Sequence, residues 1–300
     1  MKWKKLGRIF NPNILGNRGL QASLMPIVED IDSNGLVKVY FSPRDHNNCS
    51  EVHWFEINLN SPNQIIRISS QPLLVKGKTG AFDDSGITLG SIVQNDSTKR
   101  LYYTGWNLTV KVPMNNSIGV AEFDSNGKLF RYDDGPIMTR TLNEPYSCAS
   151  PFVMFEKGIY RMWYASMDKW DVSNGVPLHY YNIKYAESKD GLKWNRNSTV
   201  CIDYSNDHYA FGRPFVLRED GKSKMWYAYR GNHYKIGYAE SENGLDWIRQ
   251  DQKTGIDVSS RGWDSEMIEY PFIHDHKGDR YMFYNGNHYG KTGIGLAKLL

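Results

Sequence analysis

The stretch SEMIEYPFIHDHKGDRYMFYNGNHYGKTGIGLA, Ser265 to Ala297, decides the fold. It holds three short apolar runs, YPFI, RYMFYN and GIGLA, each about one strand long and bounded by turn-forming residues. Earlier copies read RPFVL, KMWYAYR and YKIGYAES between Arg213 and Ser241, and SPFVM, YRMWYAS and YNIKYAES between Ser150 and Ser188. Pro151, Pro214 and Pro271 mark the same point of each copy, 63 and 57 residues apart, and MWY, MWY and MFY follow at the same offset. A unit of short strands returning at this period is the signature of radial repetition.

Working outward, two more divergent units precede these three. Met25–Val28, Leu36–Ser42, Val52–Ile57 and Ile65–Ser69 form one four-stranded meander, and Ile87–Val93, Arg100–Thr104, Ser117–Glu122 and Leu129–Tyr132 a second. The third and fourth units end in ESKDGLKWNR and ESENGLDWIR, where a turn precedes a fourth strand that carries Trp194 or Trp247. The fifth unit stops at GIGLAKLL without a fourth strand, and MKWKKLGR at the other end of the chain offers one, with Trp3 in the matching place. The expected fold is all-β: a five-bladed β-propeller of four-stranded antiparallel blades, closed by the N-terminal strand, with residues 1–300 as one domain. Closure by a borrowed strand also covers a sheet edge that would otherwise invite aggregation.

Composition narrows the function classes. An apolar content of 40% supports a large core, yet no run approaches the roughly 20 apolar residues of a membrane span. MKWKKLGRIFNPN has basic residues without the apolar stretch of a secretory signal, so a cytoplasmic protein is expected. A net charge of +3 with no basic run argues against nucleic acid and membrane partners. Cys49, Cys148 and Cys201 are too few and too scattered for a disulfide framework or a zinc site. His46, His53, His233 and His288 show no metal-ligand spacing, and neither metal nor cofactor is expected.

In a meander, the starts of the first strands and the turns between the second and third strands share one end of the ring. The starts are Gln21–Ser23, Phe82–Gly86, Ala149–Pro151, Gly212–Pro214 and Ile268–Pro271. The turns are SPRDHNNCS, TGWNLTV, SMDKWDVSNG, YRGNHY and YNGNHYGKTG, long and aromatic, against short turns such as EDGK and HKGD at the other end. One face is therefore expected to be a ligand mouth. Aromatic rings there (Trp106, Trp170, Tyr229, Tyr284, Tyr289) mixed with hydrogen-bonding groups suit a sugar.

The motifs RDHNNCS, FDDSG, YYTGWN, ASPFVM, MWYAS, KYAESKDGLKW, RPFVL, YKIGYAES, DSEMIEYP and YNGNHYGKTGIGLA resemble a family of bacterial five-bladed propeller proteins related to the glycoside hydrolases. More distantly, the layout is similar to glycoside hydrolase families 43, 32 and 130. The resemblance implies cleavage of O-glycosidic bonds, and glycoside hydrolysis needs one carboxylic acid to protonate the leaving oxygen and one carboxylate as base or nucleophile. Candidates at the mouth are Glu269, then Glu266, as the acid, with Asp84, Asp83 or Asp45 opposite. Tyr270, Pro271 and Phe272 give Glu269 a partly apolar setting that keeps a carboxyl protonated. Expected sugar contacts are Trp106, Asn107, Ser150, Tyr229, Asp264, Tyr270 and Asn287.

Where family 43 is expected to carry an aspartate at the start of the first blade, this chain has Gln21, Ala22 and Ser23. Arg44, Arg213 and Arg230 also lie at the mouth, and arginine forks suit carboxylate and phosphate. Two alternatives to a simple hydrolase follow: an acidic or phosphorylated sugar as substrate, or phosphate as attacking group, as in the inverting phosphorylases of family 130. A third is a sugar-binding propeller without catalysis, its carboxylates and arginines satisfying loop amides and ion pairs.

Overall fold

The structure, a computed structural model, describes residues 1–18, 25–173, 175–205 and 207–300. Blade 5 takes its outermost strand, β1 (Trp3–Phe10), from the start of the chain. Blade 1 is β2 (Ile27–Asp30), β3 (Leu36–Phe41), β4 (His53–Asn58) and β5 (Ser61–Ile68). Blade 2 is β6 (Gly86–Gln94), β7 (Lys99–Leu108), β8 (Met114–Phe123) and β9 (Leu129–Arg131). Blade 3 is β10 (Cys148–Glu156), β11 (Ile159–Ser173), β12 (Val176–Ser188) and β13 (Asn195–Ile202). Blade 4 is β14 (Tyr209–Glu219), β15 (Lys222–Arg230), β16 (Tyr234–Ser241) and β17 (Ile248–Arg249). Blade 5 is completed by β18 (Glu269–His276), β19 (Asp279–Asn285) and β20 (Ile294–Leu299).

All pairings within the blades are antiparallel, and the inner strands β2, β6, β10, β14 and β18 touch in a closed circuit. The five-bladed propeller is thus as the repeat predicted. β1 closes the ring against β20 with Trp3 opposite Leu299 and Lys5 opposite Ala297, and the Trp3 indole donates to Thr254 O at 3.0 Å. Among the described residues no helix is long and apolar enough to cross a membrane.

The SKDG and SENG turns dock each blade on the one before. Gly191 O accepts from the Tyr102 hydroxyl at 3.1 Å, and Gly244 O accepts from the Trp163 indole at 2.9 Å. Both glycines sit at positive φ, 72° and 77°. At Gly191 a Cβ would also fall 2.4 Å from the Tyr102 oxygen, so only glycine allows the dock.

A second repeat is hidden inside the blades. The tyrosine that ends LYY, MWY, MWY and MFY is fully buried in each of blades 2 to 5 and donates its phenol to a carboxylate: Tyr103 to Asp83 at 3.2 Å, Tyr164 to Glu144 at 3.0 Å, Tyr227 to Asp251 at 2.5 Å, Tyr284 to Asp264 at 3.0 Å. A base on the blade's outermost strand neutralises each carboxylate: Arg131 at 2.8 Å, Arg196 at 3.4 Å, Arg249 at 2.5 Å and Lys5 at 2.7 Å. Each latch ties second strand to fourth through a carboxylate that has both a phenol and a cation as partners, the pairing under which buried charge is tolerated. Opposite the tyrosine stands a glycine (Gly119, Gly237, Gly295), where a Cβ would strike the ring, except in blade 3. There Lys184 stands opposite Tyr164 and adds a second cation 3.9 Å from Glu144. Blade 1 has Phe41 in the equivalent place, without a hydroxyl to donate.

Candidate active site

The inner strands carry a repeated kink at the future site. The residue before proline is left-handed in four blades: Met25 (φ 55°), Ser150 (φ 50°), Arg213 (φ 51°) and Tyr270 (φ 56°). In blades 3, 4 and 5 a register shift marks a bulge at that point. Such a conformation costs a non-glycine residue about 1–3 kcal/mol, and a bulge re-aims the side chain it carries. Blade 2 has Leu89–Gly90 there, with a bulge but no positive φ.

Above the kinks lies a pocket of about 340 Å³ on the channel axis, lined from all five blades. Met25 and Arg44 come from blade 1, and Thr88, Thr104, Trp106, Met114 and Asn116 from blade 2. Ala149, Ser150, Ala165, His179 and Tyr181 come from blade 3, Ala210, Gly212, Ala228 and Tyr234 from blade 4, and Tyr270 and Tyr289 from blade 5. Large rings beside small alanines and a few hydroxyls and amides make a cleft that a sugar ring fills. Arg213, 1% exposed, does not line it. Its guanidinium donates to Gly90 O, and to Pro26 O at 2.8 Å, tying blade 4 to blades 2 and 1 across the channel. Burial pulls its pKa down to about 9. One step along the inner strands Phe152, Phe215 and Phe272 pack at 4.9 and 5.0 Å and fill the axis.

Glu269 opens β18 beside this pocket, 0% exposed, with neither carboxyl oxygen hydrogen-bonded. Burial raises its pKa well above the usual carboxyl value. The neighbouring Tyr270, Arg230 and Arg44 pull in the other direction without prevailing. A negative charge here would be felt by Tyr234, Tyr270 and Tyr289, which wall the pocket. The Arg44 guanidinium lies over Trp106 and donates to Asn48 Oδ1 at 2.9 Å. Arg230 lies 5.8 Å from the Tyr234 ring. Neither arginine has a carboxylate partner among the described residues. His179, next to Trp170 and Tyr181, is pushed down to about 4 by burial, helped by Arg230, and is therefore neutral at physiological pH.

The structure brings Arg44, Trp106, Ser150 and Tyr270 into the lining and sets Glu269 and Arg230 against it. The other predicted residues lie elsewhere. Asp83 and Asp264 are latch carboxylates, 1% and 2% exposed, each held by a tyrosine and a base. Asp84 accepts from Gly80 N and Ser85 Oγ, and Asp45 from the amides of Asn47 and Cys49, so both cap their own loops. Glu266 is half-exposed and 3.3 Å from His288. Asn287 staples the loop, accepting from Glu266 N and Met267 N and donating to Gly262 O. Tyr229 stacks on Phe211 under Arg249, and Asn107 pairs with Asn115 in the blade 2 hairpin. Gln21, Ala22 and Ser23 lie outside the described residues.

The sequence reading did not reach His179 and Tyr181, and it placed Tyr234 at the mouth only as the last residue of the turn YRGNHY. The segment read as the turn SMDKWDVSNG is mostly strand: β11 and β12 continue as a hairpin with Trp170 opposite His179, which carries the third strand over the mouth. The signal was present in the β-formers of WDV and VPLHYY. Likewise TGWNLTV is largely β7. The two GNHY copies diverge: His288 and Tyr289 are left-handed in a tight turn, whereas Tyr234 already belongs to β16.

No protein-family model matches the chain. Among solved structures, BT0996 in a complex with RGII superposes with a TM-score of 0.77 at 15% identity, covering 99% of this chain and 91% of that one. A thermostable family-43 glycoside hydrolase gives 0.64 at 16% identity over 93% of this chain and 90% of that one. Sucrose-6-phosphate hydrolase from Lactobacillus gasseri gives 0.61 at 13% identity over 94% of this chain and 61% of that one. At such identities these are likenesses of fold, and they bear out the five-bladed propeller architecture that the motifs suggested, in the fold that these glycoside hydrolases share. Two Mycobacterium tuberculosis proteins, uncharacterized protein Rv1502 of strain H37Rv and uncharacterized protein MT1551 of strain CDC 1551, are each 41% identical over 300 residues, 100% of this chain and 99% of the relative. Sharing that identity from end to end, this chain belongs to the protein family of Rv1502.

Proposed function

We propose that this protein is a carbohydrate-active enzyme that cleaves an O-glycosidic bond at the central pocket, with Glu269 as the proton donor and Arg44 and Arg230 holding an anion. The observation that carries the reading is Glu269 itself: fully buried, without an ion-pair partner among the described residues, and kept protonated beside two arginines that lack carboxylate partners among those residues. A carboxyl held neutral near pH 7 is what a general acid needs. Once it has given its proton, Arg44 and Arg230 stabilise the carboxylate left behind.

Hydrolysis asks for a second carboxylate roughly 5 to 9.5 Å from the first, and none of the described lining residues is one. Phosphate, already ionised, needs no base. Phosphorolysis therefore suits the lining best: a phosphate oxygen attacks the anomeric carbon as its bond to the leaving oxygen breaks, and the proton of Glu269 goes to that oxygen. Tyr270 lines the pocket beside Glu269, so its hydroxyl relays the proton once it closes a hydrogen bond to the Glu269 carboxyl, taking that proton as it gives its own to the leaving oxygen. The second reading is binding of an acidic sugar without turnover, favoured by the complete shielding of the Glu269 oxygens.

A panel of glycosides tested with and without phosphate decides between these readings. Phosphate-dependent release of a sugar phosphate, lost in Glu269→Gln by roughly 10²-fold or more, supports the proposal. Phosphate-independent cleavage turns it toward hydrolysis, and sugar binding with no cleavage under any condition overturns catalysis.

A further inference from the structure

At the end of the channel opposite the pocket, blades 5 and 1 meet through three side chains that converge on one point. His274 and His276 alternate on β18 and so face the same way, and Asp30 ends β2 across the seam. The Asp30 Oδ1 atom lies 3.0 Å from His274 Nε2 and 2.9 Å from His276 Nδ1. All three donor atoms fall within 4.8 Å of one another.

We infer that Asp30, His274 and His276 form a binding site for a borderline divalent metal ion such as Zn²⁺ or Ni²⁺, joining blade 5 to blade 1. Two imidazole nitrogens and one carboxylate oxygen are the donor set these ions take, whereas Mg²⁺ and Ca²⁺ prefer oxygen alone. With bonds of about 2.0–2.2 Å, tetrahedral ligand atoms stand roughly 3.3–3.5 Å apart, so Asp30 needs to move from each histidine nitrogen by only a few tenths of an ångström, and the two nitrogens already lie within 4.8 Å of each other. The rings are already oriented. Each histidine side chain is 10% exposed, the two imidazoles lie 18° from parallel, and His274 packs edge-on against Phe283. Asp30, 45% exposed, leaves one side open for water to complete the coordination. The sequence spacing H-x-H gave little warning, because the third ligand is 244 residues away and enters only through ring closure.

The test uses untagged full-length protein stripped with a chelator and dialysed, titrated calorimetrically with Zn²⁺, Ni²⁺ and Mg²⁺ and melted in parallel. The expected result is one Zn²⁺ or Ni²⁺ per protein molecule, a raised Tm reversed by chelator, and no response to Mg²⁺. His274→Gln and His276→Gln should each abolish binding. Because those rings are packed, Asp30→Asn at a half-exposed position serves as the variant least disturbing to folding, and it should weaken binding at least tenfold. Absence of binding in the wild type, a response to Mg²⁺ equal to that for Zn²⁺, or unchanged affinity in Asp30→Asn overturns the assignment and leaves an ordinary His–Asp–His hydrogen-bonded seam.

Discussion

The Arg44 guanidinium lies 5.2 Å from the centroid of the Trp106 ring, a cation of blade 1 laid over an aromatic of blade 2 at the edge of the pocket. The ring fixes the arginine without neutralising it, and burial lowers the guanidinium pKa, so an incoming anion meets a partly desolvated positive charge. Phosphate should therefore raise the Tm of the wild type, and Arg44→Ala should weaken phosphate binding by about tenfold or more, ~1.4 kcal/mol. Equal shifts with phosphate, sulfate and chloride in both proteins would refute a specific anion site.

Arg213→Ala should behave differently from Arg44→Ala. It leaves Gly90 O and Pro26 O without their donor in a fully buried channel, each at a cost of about 1–3 kcal/mol. A large loss of Tm is expected even with phosphate present. A variant as stable as wild type would show that Arg213 does not tie the blades together.

Glu269 sets a pH dependence whose sign follows from burial. Its folded pKa is raised, so between the ordinary carboxyl value and that raised value the native state keeps a proton the unfolded chain has lost. Stability from this group is full at low pH and falls by about 1.4 kcal/mol per pH unit across the window, until pH passes the folded pKa. Glu269→Gln should be more stable than wild type at neutral pH and should lose less stability as pH rises above 5. Parallel denaturation curves for the two proteins from pH 5 to 8 would contradict a protonated Glu269.

Asp264 is expected to matter for stability and not for the pocket. Asp264→Ala removes the acceptor of the buried Tyr284 phenol and the partner of Lys5, which should cost about 1–3 kcal/mol. Ligand affinity of the folded fraction should be unchanged. Loss of affinity without loss of stability would restore Asp264 to the binding residues.

Deleting residues 1–8 strips β1 from β20, exposes the edge of blade 5 and removes Trp3 and Lys5 together. A loss of several kcal/mol, seen as a lower urea midpoint, is the expected outcome. An unchanged midpoint would mean that the ring does not depend on this closure.

How much was legible in advance differs sharply between fold and site. PFV, PFV and PFI, MWY, MWY and MFY, and the DG and NG turns announced blades because strand pattern and turn chemistry are local, and repetition multiplies a weak signal. Even the closing strand could be read, since Trp3 repeats the place of Trp194 and Trp247. Arg44, Trp106, Ser150 and Tyr270 were recoverable because a meander sends certain loops to one end. His179 and Tyr181 were not, since a hairpin that outgrows its blade looks like a turn in sequence.

The sequence by itself determined five blades, their closure and the mouth face, because hydrophobic alternation and turn residues act over a few positions at a time. Only the tertiary structure decided which charges are free. Asp83, Asp264 and Glu269 are all acidic residues at or just before an inner strand, yet the first two are held by Tyr103 with Arg131 and by Tyr284 with Lys5, while Glu269 makes no ion pair among the described residues and feels Arg44 and Arg230 only at a distance. Arg213 and Arg44 differ in the same way, one bound to backbone carbonyls across the channel and the other facing the pocket. A carboxyl's protonation and an arginine's availability depend on partners brought from distant strands and on the water excluded around them, and no local pattern records either.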